Sequence, residues 1–230
     1  MPPLNSFPEV SFAQQGEDLI IKSIFAALEI ANATYLDVGA HDPIRGSNTY
    51  LFYALGSRGV VVEPNPAYVA KLKAARPRDV VIDKGIGIGK ATKATYYDFG
   101  DDGQENTFSK EQVDRLAKLG IKPLRTSEME LVDINDVIAT HFPNAPPDLV
   151  SIDTEGLDLE ILKSLDFERF RPPVLCVETL EVGTTRTIDE IAAFLHRKRY
   201  VTRGGTLVNT IFVSQEALAH TGASDGGTAR

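Results

Sequence analysis

Five apolar runs in this 230-residue chain each end in a carboxylate. TYLDVG places Asp37 beside Gly39, GVVVEP ends on Glu63 and DVVIDKG carries Asp83. PPDLVSIDTEG carries Asp153 and Glu155, and PPVLCVETL carries Glu178. Burying so many carboxylates without partners is costly, so they must be solvated, paired or bound to something. An acid at the end of a second strand, as Glu63 is, can accept hydrogen bonds from the vicinal hydroxyls of a ribose. Asp153 and Glu178, at neighbouring strand ends, can converge on one hard cation such as Mg²⁺ or another divalent ion. The same pair can instead bind substrate hydroxyls directly. Glu155 suits a third ligand or a general base.

Positioning these groups takes alternating strands and helices. In GEDLIIKSIFAALEI (16–30), Ile20, Ile24 and Leu28 recur at steps of four and predict an amphipathic helix. Strands are predicted over 34–39, 59–64 and 79–85, separated by helices over 48–56 and 66–75. The middle is less regular, with strands over 94–99 and 128–133 around a helix over 109–120. A helix over 134–141, a buried strand over 146–156, a helix with Ile161 and Leu162 on its apolar face, a strand over 172–180 and a helix over 187–197 follow. Gly204-Gly205 between two last strands reads as a hairpin. The predicted fold is α/β: a doubly wound, mostly parallel seven-stranded, Rossmann-like sheet with a terminal antiparallel hairpin, the plan of class I methyltransferases. Ligands of such sheets bind beyond the carboxyl ends of the strands. The predicted organisation is an N-terminal extension over 1–10, one domain over 11–215 with an insertion at about 92–132, and a flexible tail over 216–230.

Composition narrows the function classes. A net charge of −8 and pI near 5.1 argue against a nucleic-acid surface. No apolar run approaches the ~20 residues of a membrane span. The lone cysteine, Cys176, reads as a buried small hydrophobe, and the cytoplasm is the expected location. Zinc spacing, a GxSxG elbow and a GxxxxGK[ST] loop are all missing. Gly39 and Ala40 permit close backbone approach, yet GxGxxG is absent, with Ala40 and Pro43 where phosphate cradling wants glycine. That pattern favours a cofactor without phosphates, such as S-adenosylmethionine. Asp83 is a candidate for the adenine edge, and His41 for catalysis or cofactor contact. Asp158 and Glu160 read as solvated helix residues.

GEDLII (16–21), YLDVGAHDP (35–43), SNTYLFYALGSRGVVVEPNP (47–66), IDKGIG (82–87), NTFS (106–109) and DLVSIDTEGLDLEIL (148–162) together resemble FkbM-type S-adenosylmethionine-dependent O-methyltransferases. The resemblance implies methylation of hydroxyls, often on sugars of glycans, glycolipids or glycosylated natural products. It implies cofactor binding by Asp37, Gly39 and Glu63, and a role near the methionine moiety or acceptor for Ser47 and Asn48. It places Asp153 and Glu155 at the active-site end. Asn106 and Thr107 become candidate cofactor or acceptor contacts, against a plain helix cap at Thr107 or Ser109. Two rivals stay open on the residues alone: an NAD-dependent oxidoreductase, and a catalytically silent ligand-binding module. The expected partner is a small-molecule or saccharide acceptor; a homodimer is one open option.

Overall fold

The computed structural model describes residues 9–222 apart from 101–102, 104 and 182–183. Seven strands form the main sheet: β1 (Tyr35–Val38), β2 (Gly59–Val62), β3 (Val80–Ile82), β7 (Leu149–Ile152), β8 (Val174–Glu178), β9 (Tyr200–Gly205) and β10 (Asn209–Ser214). Their order is β3-β2-β1-β7-β8-β10-β9. The first five run parallel, and β10 lies antiparallel between β8 and β9. The class I methyltransferase plan expected from the sequence is the one observed.

Side-chain alternation along the strands divides the core between the two faces. Leu36, Val38, Val150, Ile152, Leu175 and Val177 pack against α5 (Ile134–His141), α6 (Asp158–Ser164) and α7 (Asp189–Arg197). Tyr35, Val61, Leu149 and Cys176 pack against α1 (Glu17–Ala27), α2 (Tyr50–Ala54) and α3 (Pro66–Ala75). Asp37 shares the second face with Tyr35, which aims it at α2 and α3 rather than at open solvent.

On that face lies a buried charge network with no counterpart in the sequence reading. Arg76, fully buried at the end of α3, donates from Nε to Asp79 Oδ2 at 2.7 Å and from Nη2 to Thr49 Oγ1 at 2.9 Å. Thr49 in turn donates to Asp37 Oδ2 at 2.5 Å. Tyr35 Oη and the Gly59 amide also donate to Asp79, at 2.8 and 2.9 Å.

The middle segment forms a second sheet, β4-β6-β5, from β4 (Gly85–Ile86), β5 (Lys93–Asp98) and β6 (Arg125–Val132), with α4 (Lys110–Lys118) between β5 and β6. The two-residue β4 was not foreseen, being too short to show a period. Two other expectations are corrected. The hairpin turns at residues 206–208, while Gly204 and Gly205 lie inside β9, paired with Ile211 and Thr210, next to a register shift that skips Arg203. The chain from 216 begins not as a loose tail but as α8 (Gln215–Gly222), whose Glu216 pairs with Arg171 at 3.0 Å. Most of the expected extension and the tail beyond 222 lie outside the described residues.

Candidate active site

The strand order reverses at β1, whose neighbours are β2 and β7, and a cavity of about 430 Å³ opens over the carboxyl ends of these strands. Gly39 makes the crevice possible. Its φ is +83°, and a Cβ there would sit 1.8 Å from the Asp153 carbonyl oxygen, so only glycine lets the β1 turn approach the end of β7 so closely. Gly39 and Ala40 line the cavity, as do Asp37, Ser47 and Asn48.

Glu63 follows β2 and is 4% exposed. Its Oε2 accepts from the His41 amide at 2.9 Å and its Oε1 from the Asn65 amide at 2.7 Å. Each oxygen keeps a second lone pair for a ligand in the cavity it lines. Burial raises its pKa to about 7, with the two amide bonds pulling the other way. His41 sits at left-handed φ 47°, which turns its amide onto Glu63, and its ring lies 3.9 Å from that of Tyr68. The sequence-expected His41 therefore stands beside the acid of β2.

Asp153, Glu155 and Glu178 form a second group, each offering one carboxylate oxygen within 4.8 Å of the others. Asp153 and Glu155 line the cavity, while Glu178, at the end of β8, backs them from behind. Burial, then neighbouring carboxylates, raise Asp153 to about 7 and Glu178 to about 11, and hold Glu155 well above the usual carboxylate range. Burial and its carboxylate neighbours favour the protonated form of Glu178. Glu155 also has a left-handed φ of 54°, and Gln112 of α4 reaches it with Nε2 at 3.5 Å.

Of the remaining expected residues, Thr107 bonds to the site's frame. Its Oγ1 donates to the Glu155 carbonyl at 2.8 Å and accepts from the Ser109 amide at 2.8 Å. The helix cap is Ser109, which accepts from the Gln112 amide. Asn106 lines the cavity and accepts from the Phe99 amide through Oδ1. Asp83 is not among the cavity-lining residues; its exposed carboxylate lies 3.9 Å from Lys73.

Residues 37–202 match the methyltransferase FkbM domain. The chain belongs to this family. No curated protein matches it. Solved structures similar to this FkbM protein include a putative caffeoyl-CoA O-methyltransferase from Staphylococcus aureus, at TM-score 0.48 and 10% identity over 90% of this chain and 85% of that one. A second is a TehB-like SAM-dependent methyltransferase from Corynebacterium glutamicum, at TM-score 0.44 and 10% identity over 88% and 89%. A third is an O-methyltransferase from Bacillus cereus in complex with SAH, at TM-score 0.44 and 12% identity over 91% and 84%. Membership of this family supports S-adenosylmethionine-dependent methyl transfer.

The FkbM domain's cavity fits that donor on its own chemistry. Among the described residues, Asn48 Oδ1 and Asn106 Nδ2 are buried with no hydrogen-bond partner, an acceptor and a donor on cavity-lining residues. Leaving such atoms unpaired costs ~1–3 kcal/mol each, which a polar ligand would recover.

Three residues of the site went unrecognised in the sequence. Asp158 is buried, not solvated: it accepts from the Thr154 and Gly156 amides at 3.0 and 3.3 Å and holds the turn carrying Asp153 and Glu155. An aspartate two residues after glycine in a first helical turn is the signal that would have found it. In GEDLII, Glu17 accepts from Thr206 Oγ1 at 2.6 Å and Asn209 Nδ2 at 3.2 Å, and Asp18 accepts from the Phe12 amide at 2.7 Å. Both are fully buried and pin the segment whose Gln14 lines the cavity.

Proposed function

We propose that the protein methylates the oxygen of a hydroxyl, on a saccharide acceptor, with a divalent cation such as Mg²⁺ orienting that acceptor at Asp153 and Glu178 while Glu155 stays free as the base. The observation that carries the reading is the convergence of three carboxylates within 4.8 Å of one another, two of which, Asp153 and Glu155, line the cavity. An all-oxygen set of this kind suits hard cations and sugar hydroxyls alike. Burial and mutual repulsion set the protonation of the three, so a cation is the partner that would let them ionise together.

The donor supplies a methyl group already activated on a sulfonium. In our assignment Glu63 binds the ribose hydroxyls, and the Asp37–Gly39–Ala40 turn, Ser47 and Asn48 enclose the remainder. His41 belongs to the same end, where its amide fixes Glu63 and its ring stacks on Tyr68. Asn106 and Thr107 close the acceptor side. Glu155 removes the hydroxyl proton as the oxygen attacks in line; an O–C bond forms, the S–C bond breaks, and the proton rests on the carboxylate. Burial and the neighbouring carboxylates raise the Glu155 pKa, which strengthens it as a proton acceptor. Positioning supplies much of the rate. We place the reaction in the cytoplasm, in keeping with the single free cysteine, Cys176, buried in the core.

The test is calorimetry with Mg²⁺ on the wild type and on Asp153→Asn, beside turnover in chelator. The expected outcome is cation binding lost in Asp153→Asn and turnover cut by at least ~100-fold when metal is removed. Full turnover in chelator would remove the cation and leave the carboxylates as direct hydroxyl ligands.

A further inference from the structure

The insertion also bears a surface that methyl transfer does not use. Residues 110–125 hold five basic side chains against two acidic ones, in a chain of net charge −8. Within six residues of one another there, Leu119, Ile121 and Leu124 are 60%, 40% and 72% exposed. The backbone holds them out in fixed positions. Gly120, at φ +84°, closes α4, with the Ile121 amide on the Leu116 carbonyl at 3.0 Å and the Leu124 amide on the Asp98 carbonyl at 2.7 Å. Around them, Lys110 pairs with Asp114, Arg115 with Glu111 and Glu181, and Arg125 with Asp98. Lys118 and Lys122 are exposed and enter no ion pair among the described residues.

We propose that this tip of the insertion docks on an anionic lipid bilayer, with Leu119, Ile121 and Leu124 entering the headgroup boundary and Lys118 and Lys122 meeting lipid phosphates. Apolar side chains ringed by unpaired lysines are the composition of an interfacial contact, where apolar burial and anionic attraction add. A second copy fits the surface less well. A two-fold interface brings the same patch against itself, so Lys118 and Lys122 would lie against the basic patch of the other copy. Docking would also bear on the active site. Gln112, about 10 Å along α4 from Leu119 at 1.5 Å per residue, is the residue that reaches Glu155.

Co-sedimentation of the full chain with vesicles tests the proposal and needs no methyl donor, so its outcome is separate from that of the proposed reaction. Vesicles of phosphatidylglycerol and phosphatidylcholine should bind the protein about tenfold more tightly than phosphatidylcholine alone, and less tightly as salt rises. L119S/I121S/L124S and K118E/K122E should each lose this binding by at least about tenfold. L55S, at an exposed leucine elsewhere, should bind as the wild type does, with folding of all variants checked by circular dichroism. Equal binding to neutral and anionic vesicles, no binding to either, or wild-type binding by folded patch variants would overturn it. So would a concentration-dependent dimer lost in L119S/I121S/L124S, which would assign the patch to a second copy.

Discussion

At the scale of single residues, the site is a set of carboxylates kept apart by what each one touches. Glu63 is held by two backbone amides and faces the cavity with its remaining lone pairs, whereas Glu178 faces other carboxyl groups and keeps a proton. Glu63→Gln keeps the shape, replaces one acceptor oxygen by a donor and removes the charge. Donor affinity measured by calorimetry should fall by roughly 10–100-fold, the worth of one or two charge-assisted hydrogen bonds, and the melting temperature should fall as well, because the new amide nitrogen meets the His41 or Asn65 amide donor. Unchanged affinity would take Glu63 out of the donor site. The acids at strand ends were legible in the sequence because each closes an apolar run. Asp158 was not, since its role depends on which way a turn folds back, and neither was the solvent position of Asp83.

At the scale of elements, α3 does more than cover the sheet. It delivers Arg76 into the buried space under β1, where Asp79, Thr49 and Asp37 complete its bonds. The sequence showed α3 clearly, from Pro66 at its first turn to the apolar Val69 and Leu72. RPRDV gave no sign that one of its charges is fully buried, because burial there comes from the packing of three separate segments. Removing the cation leaves Asp79 and Asp37 uncompensated in the core. Arg76→Met should therefore cost about 3–5 kcal/mol in urea unfolding, far more than Lys73→Met on the exposed side of the same helix. Equal, small losses for both would show that the network is not a structural centre. The small sheet of β4, β6 and β5 was only partly readable: β5 and β6 alternate, but β4 exists only through its pairing with β6.

At the scale of the whole molecule, one cleft gathers carboxyl groups from separate parts of the chain, and their protons tie stability to pH. Burial raises Glu63 and Asp153 to about 7 and Asp158 to about 6, above the values they have unfolded. The folded state then binds more protons than the unfolded one, so the stability these groups contribute is lost as pH rises through 6 to 7. Thermal melts of the ligand-free protein should move down between about pH 5.5 and pH 8, and donor or divalent cation should raise the melting point most at the higher pH. A melting point that climbs over that range would contradict the assignment. The most direct test of the central claim follows a labelled methyl group from S-adenosylmethionine into a panel of defined saccharides, read by mass spectrometry with linkage analysis. The account predicts label on a sugar oxygen as a methyl ether, lost in Asp153→Asn; label on nitrogen or carbon, or on oxygen undiminished in Asp153→Asn, would contradict it.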